Sequence, residues 1–86
     1  MVSEQVEAVC AEVARLLRAE RQRRGLSMTA LAERSGVSQP MISLLESGGR
    51  KPSLETLLRL SLALGVPPDQ LLGRACRAAF KKSHLR

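Results

Sequence analysis

Apolar positions recur along the chain at spacings of three and four residues, which is the pattern of amphipathic helices. The first predicted helix runs from Ser3 to Arg24, with Ser3 as its N-cap. Gly25 ends it, after basic residues that suit the negative C-terminal end of a helix dipole. Its apolar seam consists of Val6, Val9, Cys10, Val13, Leu16 and Leu17.

Residues 27–48 predict two short helices joined by a sharp corner. Ser27 is a candidate N-cap, since its hydroxyl can accept a hydrogen bond from a free backbone N–H of the first turn. The helix that it opens begins near Met28. It should stop near Ser35, because Gly36 can adopt the positive φ with which many helices end.

The second short helix begins after Ser38, a candidate N-cap followed two residues later by Pro40. Proline is tolerated only within the first turn of a helix, so Pro40 marks a helix start. Ile42 and Leu45 are spaced to face inward, and the run ends at residues 47–49. Two helices of about eight residues separated by a short corner form a helix-turn-helix.

A fourth helix follows an exposed loop, residues 47–53, that carries two glycines and a basic pair. Ser53 is its candidate N-cap, and Gly65 ends it. Its leucines supply more apolar surface than one buried face requires, which leaves some of them for a dimer contact. They are Leu54, Leu57, Leu58, Leu60, Leu62 and Leu64.

The fifth helix begins at residues 67–68, and Leu71 and Leu72 are expected to close the core. Beyond Gly73 the chain is basic and contains no acidic residue, while its apolar residues still permit a helix. This tail is predicted to be a helix with one basic face, or frayed. Its cations, which either bind phosphate or are simply solvated, are Arg74, Arg77, Lys81, Lys82 and Arg86.

The two short helices resemble the helix-turn-helix of the phage repressor and Cro family, also called the XRE type. The resemblance is carried by a small residue in the first helix, two corner residues and two apolar residues of the second helix: Ala32, Gly36, Val37, Ile42 and Leu45. It continues through residues 52–72, which are similar to the fourth and fifth helices of that family.

The resemblance implies an all-α, five-helix lambda-repressor-like DNA-binding domain over residues 1–86. Its core would span residues 13–73, between a helical N-terminal extension at 1–12 and a basic C-terminal extension at 74–86. The apolar seam of the N-terminal extension either packs against a second subunit or folds over the same core. Arg21 and Glu46 match the pair that ties the first helix to the third in this family, so we expect a partly buried salt bridge with a structural role.

The composition is that of one small helical domain with a polyanionic partner. The chain has 86 residues, a formal net charge of +6 and a pI near 10.7, which favours nucleic acid. Cys10 and Cys76 lie far apart and have no spacing typical of a zinc site, so buried free thiols are expected, without metal or cofactor. His84 is a lone histidine and is expected to be inert.

The sequence favours a cytoplasmic protein that is not an enzyme. Glu4 and Glu7 stand where a basic leader would be, and the longest uncharged run, residues 35–45, is far shorter than the ~18 apolar residues of a membrane span. The chain has one histidine, no phosphate-cradling glycine loop and no paired carboxylates. Neither catalysis nor a small-molecule ligand is therefore expected.

The resemblance implies that the second short helix enters the major groove of duplex DNA, while the start of the first contacts the phosphate backbone. Carried onto this chain, the base-reading residues are Gln39, Pro40, Ser43 and Leu44. The residues expected near the DNA backbone are Met28, Thr29, Ser38, Ser47, Arg50 and Lys51. Only Gln39 can form two hydrogen bonds to a base edge, preferably that of adenine.

Two functional hypotheses follow. The first is a homodimeric, sequence-specific transcriptional regulator on a roughly palindromic operator, with half-sites about 34 Å apart. The second is a helix-turn-helix-derived protein-interaction module, of the antitoxin or anti-repressor type, with weak or no DNA affinity. It is suggested by the apolar residues Met28, Pro40, Met41 and Leu44, of which Met28 stands where the family often has glutamine.

Overall fold

The computed structural model describes residues 1–83, the last two by their backbone alone. The predictions for the side chain of Lys82 and for His84 and Arg86 lie outside the described residues. The described residues form five helices and no strand, which confirms the predicted all-α, five-helix fold. The helices are α1 (Val2–Arg23), α2 (Met28–Ser35), α3 (Gln39–Glu46), α4 (Leu54–Ala63) and α5 (Pro68–Ser83).

Serine hydroxyls cap three of these helices, as predicted. The backbone N–H groups of Ala30, Met41 and Thr56 donate to the hydroxyls of Ser27, Ser38 and Ser53 at 3.0, 3.3 and 3.1 Å. Each bond satisfies a helical N–H that has no partner within the helix, a contribution typically of about 1 kcal/mol.

The predicted N-cap of the first helix was wrong. Met1 occupies the N-cap position of α1, and Ser3 lies inside the first turn. The carbonyl of Met1 accepts a hydrogen bond from the N–H of Gln5 at 3.1 Å. The helical hydrogen bonds therefore begin at Met1, and Ser3 lies inside the helix instead of capping it.

The core lies where all five helices meet. Its side chains are aliphatic and at most 8% exposed: Val13, Leu16, Leu17, Leu31, Val37, Ile42, Leu45, Leu57, Leu60, Leu64, Val66, Leu71 and Ala75. Full burial of one leucine stabilises a fold by about 1.5–3 kcal/mol, so this cluster supplies the main driving force for folding.

Of the two leucines expected to close the core, only one does so. Leu71 is 1% exposed, but Leu72 is 36% exposed, so its prediction was wrong. On α5 the inward-facing residues Leu71, Ala75 and Ala79 follow one another at four-residue spacing. Leu72 is the next residue along α5, so its side chain is rotated around the helix axis away from this buried face and points towards solvent.

α5 continues without a break across Gly73 and packs along α1. Ala75 and Ala79 are buried, so the first part of the basic tail belongs to a helix packed on the domain. On the facing helix, Val13 and Leu16 lie in the core and Val9 packs against it, whereas Val6 is 48% exposed. The N-terminal seam thus folds largely over the same core.

A carboxylate ties the C-terminal part of α1 to α5. Glu20 is 7% exposed. Arg23 donates to it at 2.9 Å, and Arg24 and Arg74 lie 3.7 Å from its oxygens. The hydrogen bond from Arg23, aided by the other two cations, holds the pKa of Glu20 below its ordinary value. Arg74 therefore has a structural contact, because it joins α5 to this cluster.

The two cysteines are free thiols, but they are half-buried rather than buried. Cys10 lines an open apolar groove between α1 and α5 with Val9 and Phe80, and Cys76 adjoins the buried Ala75. Cys10 thus lies at the margin of the α1–α5 contact, where burial is incomplete. None of the helices in the described part of the chain is both long and apolar enough to span a membrane.

Candidate nucleic-acid interface

The corner between α2 and α3 is fixed by local hydrogen bonds. Gly36 has a φ of +77°, and its N–H donates to the carbonyl of Ala32 at 2.9 Å. The hydroxyl of Ser35 accepts from the N–H of Val37 at 3.1 Å, and the Val37 side chain is buried. A side chain at Gly36 would be strained in this left-handed conformation, so the glycine is required for the corner.

α3 is anchored to α1 through a bidentate ion pair. Arg21 donates to the two carboxylate oxygens of Glu46 at 2.7 and 2.9 Å, and to the carbonyl of Leu26 at 2.8 Å. The side chains of Arg21 and Glu46 are 11% and 4% exposed. The hydrogen bonds to Glu46 raise the pKa of Arg21 above its usual value. The pair expected from the sequence is therefore present, and it fixes the C-terminal end of α3.

One face of α3 is buried and the opposite face is open to solvent. Ile42 and Leu45 are 1% and 2% exposed and hold the helix on the core. Three of the four candidate base-reading residues are exposed and the fourth is half-buried: Gln39, Pro40 and Leu44, and then Ser43. α3 packs on α2 and α1, and its outer face is exposed to solvent.

The first turns of α2 and α3 meet through Met28 and Gln39. The Gln39 side-chain amide donates to the Met28 sulfur at 3.5 Å, a weak hydrogen bond that orients the amide. Met28 is half-buried and packs partly against the core. Its side chain therefore supports Gln39, and its backbone N–H belongs to the first turn of α2, where N–H groups have no partner within the helix.

The apolar patch on this face is smaller than the sequence suggested. Met28 and Met41 are half-buried and pack against the core, while Pro40 and Leu44 are exposed, Leu44 by 45%. Pro40 and Leu44 are neighbours on α3, but two exposed side chains form a limited contact area for a protein partner, since dedicated protein-binding patches usually extend over several hundred Å².

The candidate backbone contacts surround α3. Thr29 is exposed beside the N-terminus of α2, where the first N–H groups have no partner within the helix. The Ser38 hydroxyl already caps α3, and the Ser47 hydroxyl donates to the carbonyl of Leu44 at 3.0 Å. Both hydroxyls thus shape the ends of α3, and Ser47 can also accept a hydrogen bond from a ligand.

The two cations of the loop after α3 differ in their surroundings. Arg50 is exposed and has no ion pair with any residue in the described part of the chain. The Lys51 ammonium lies 2.7 Å from a carboxylate oxygen of Glu7, on the N-terminal extension of α1. The hydrogen bond from Lys51 to Glu7 raises the pKa of Lys51. Of the two, only Arg50 is free to bind a phosphate without breaking a contact.

Two charged residues beside this site have no signal in the sequence. Glu7 is far from the loop along the chain, so no sequence pattern indicates that its carboxylate lies beside Lys51. Arg18 is exposed and lines a shallow groove between α1 and the end of α3, together with Ser47 and Gly48. It adds a cation beside α3 that the helix-turn-helix pattern does not include.

Within the described residues, no cluster of three or more histidine, cysteine, aspartate or glutamate side chains could hold a metal ion. This surface offers hydrogen-bonding side chains, exposed cations and free helical N–H groups. Such groups match the oxygens of a phosphate backbone and the polar edges of bases.

The chain is similar to known helix-turn-helix proteins in sequence. A family model described as helix-turn-helix matches residues 17–71. An uncharacterised HTH-type transcriptional regulator of Mycobacterium tuberculosis is 46% identical over 59 residues, which are 69% of this chain and 42% of that protein. SutR, an HTH-type transcriptional regulator of Escherichia coli, is 40% identical over 47 residues, 55% of this chain and 26% of SutR. The chain spans less than half the length of either relative.

A solved structure is also similar. It is the crystal structure of the restriction-modification controller protein C.AhdI from Aeromonas hydrophila, which superposes with a TM-score of 0.68 and 34% sequence identity. The match covers 72% of this chain and 94% of the controller protein. The likeness therefore extends over nearly the whole of the smaller protein and includes the helix-turn-helix.

Proposed function

The chain belongs to the helix-turn-helix family, whose model it matches over residues 17–71, and from that premise we propose that it is a homodimeric transcriptional regulator that binds duplex DNA sequence-specifically. Relatives named as HTH-type transcriptional regulators support a DNA-binding role. The observation that carries the proposal is the exposure of the first turn of α3, where Gln39 and Pro40 project beside the N-terminus of α2.

The outer face of α3 has the chemistry of a base-reading surface. Gln39 can donate to N7 of adenine and accept from its N6 amino group only when the side chain is held in position, and the contact with Met28 provides that restraint. A glutamine amide that both donates and accepts pairs best with adenine in the major groove. Pro40 and Leu44 offer apolar contacts to thymine methyl groups, and Ser43 offers a hydroxyl that suits several bases.

Backbone contacts would surround this reading helix. The free N–H groups at the start of α2, at Met28 and Thr29, suit a phosphate oxygen. Ser38 and Ser47 lie at the two ends of α3, and Arg50 and Lys51 supply cations beyond it. Phosphate contacts of this kind set register and affinity without reading sequence, so specificity falls mainly to Gln39.

A dimer surface is proposed on α4, on the side of the domain that leaves α3 free. Leu54, Leu58 and Leu62 follow one another at four-residue spacing and are 68%, 37% and 65% exposed. α4 packs on α2 and α5. In the proposed dimer, a second copy bound to this stripe leaves the outer face of α3 free. Since a twofold axis brings the same stripe from each copy together, leucine would meet leucine, and two reading helices would be presented to a palindromic operator.

A titration of DNA binding against salt tests the proposal. If the protein binds duplex DNA through phosphate contacts, the logarithm of its association constant should fall steeply and linearly with log salt, because each contact releases counterions. Fluorescence anisotropy on an operator obtained by selection from random DNA gives this slope. Absent or salt-insensitive binding would contradict it and would favour the protein-interaction module.

Replacement of Gln39 by alanine tests the reading residue. Q39A should lose about five- to hundredfold in affinity for the selected operator, the usual value of one bidentate base contact, and much less on random DNA. Gln70→Ala, an exposed glutamine on α5, is the matched control and should bind as the wild type does. Equal losses of Q39A on both DNAs would show that Gln39 does not determine specificity.

A further inference from the structure

The N-terminal part of α1 reaches the loop that follows the reading helix. Glu7 lies before residues 17–71, the part of the chain that matches the helix-turn-helix family. Its carboxylate is 2.7 Å from the ammonium of Lys51, and the two side chains are 66% and 53% exposed. An element added to the helix-turn-helix thus holds one of the cations that would face the DNA backbone.

We propose that Glu7 is an intramolecular competitor for DNA phosphate, which binds Lys51 in the free protein and so lowers the affinity and the salt dependence of DNA binding. The inference rests on the proposed DNA-binding function and adds to it a residue outside the family pattern. The ligand that displaces Glu7 is a phosphodiester oxygen of duplex DNA.

The competition follows from the chemistry of the two anions. A carboxylate and a phosphodiester both present anionic oxygens to the Lys51 ammonium, and a distance of 2.7 Å is that of a charge-assisted hydrogen bond. Lys51 must give up this bond, or share it, to bind phosphate. A phosphate at Lys51 would also lie close to the Glu7 carboxylate, and the two negative charges would repel each other.

The loop leaves space for Lys51 to move. Arg50 and Lys51 line two small cavities, of ≈ 100 and ≈ 230 Å³. The first lies towards α1 and is also lined by Glu7, and the second lies towards α4 and is also lined by Thr56. Because none of these four side chains is fully buried, Lys51 can turn away from Glu7 without disturbing the core.

The expected size of the effect is set by the exposure of the pair. Exposed ion pairs are weak, so release of Lys51 should change the affinity for DNA by about two- to fivefold for each protomer at low salt. In the wild type, Glu7 takes up a counterion when Lys51 leaves it, which offsets one of the counterions released from DNA. Removal of the Glu7 charge should therefore steepen the salt slope by up to about 0.9 for each protomer.

The test compares Glu7→Gln with Glu4→Gln by DNA-binding titrations at several salt concentrations. Glu4 is on the same helix and is exposed, but its partner is the N-terminal amine, at 3.5 Å. The two variants lose the same charge, so a general electrostatic gain would be common to both. The proposal requires that E7Q bind duplex DNA more tightly than E4Q and with a steeper salt slope.

A second pair of variants assigns the gain to Lys51. In the K51Q background, Glu7→Gln should no longer produce the additional gain, since no ammonium remains to be released. If E7Q equals E4Q, or if its advantage persists in K51Q, the competitor role is overturned while the DNA-binding function stands. If no variant and no wild-type protein binds DNA, the proposed function fails and the competitor role fails with it.

Discussion

Glu46→Ala is expected to lower the free energy of unfolding by about 3–5 kcal/mol, a large part of the stability of so small a domain. The substitution leaves the Arg21 guanidinium largely buried without its carboxylate, since only the bond to the carbonyl of Leu26 remains. Removal of Glu46 leaves the buried charge of Arg21 without a counter-charge. The free-energy cost of that unpaired charge is larger than the net stabilisation that the intact pair supplies. Urea denaturation at neutral pH, followed by circular dichroism, measures the loss.

The exposed pair on α4 provides a matched control. Arg59 binds Glu55 at 2.9 Å, but the side chains are 51% and 75% exposed, so Glu55→Ala should cost no more than about 1 kcal/mol. If the loss in E46A comes from a stranded charge, the additional change Arg21→Met should recover part of it. Equal losses in E46A and E55A, or no recovery in the double variant, would contradict this account of the pair.

Leu62→Glu is expected to convert the proposed homodimer into a monomer. Leu62 is 65% exposed, so the substitution should leave the fold of each subunit intact. In a twofold interface on α4 it would bring one unpaired carboxylate from each copy into an apolar contact, and each buried charge costs several kcal/mol. We therefore expect the dimer dissociation constant to rise by at least about a hundredfold, as measured by sedimentation equilibrium.

Val6→Glu is the control for this substitution. Val6 is 48% exposed and lies on α1, where it lines a groove with Phe80 of α5 and not with the leucine stripe of α4. V6E should remain dimeric if α4 forms the interface. A dimeric L62E together with a monomeric V6E would move the interface to the N-terminal seam, and a wild-type protein that is monomeric at all concentrations would overturn the homodimer.

The local elements of the fold could be predicted because their causes lie within a few residues. Ser27, Ser38 and Ser53 each cap a helix by a bond to the N–H three residues further on. The predicted start of the first helix at Ser3 was wrong. Met1 and Ser3 are both possible N-caps, and the helix begins directly after Met1, whose carbonyl accepts the first helical hydrogen bond. The burial of Leu71 and the exposure of Leu72 could not be told apart from composition, since both are leucines and only the position of α1 selects one of them.

The candidate site could be predicted only in part, because some of its contacts depend on how the helices pack. The resemblance indicates Gln39, Pro40 and Leu44 as base-reading residues. All three are exposed on α3, and their roles in base reading stay predictions. The support of Gln39 by Met28 and the position of Arg18 beside Ser47 depend on how three helices pack. No spacing along the chain encodes such contacts.

By itself the sequence determined the five helices, the corner at Gly36, the basic charge and the pairing of Arg21 with Glu46. These follow from hydrogen bonds to near neighbours, from helical periodicity and from a family pattern. Only the tertiary structure decided that Glu7 holds Lys51 and that Glu20 binds Arg74. The physical reason is that a surface ion pair between distant segments requires no particular sequence pattern, because it forms wherever packing of the core brings two opposite charges within hydrogen-bonding distance.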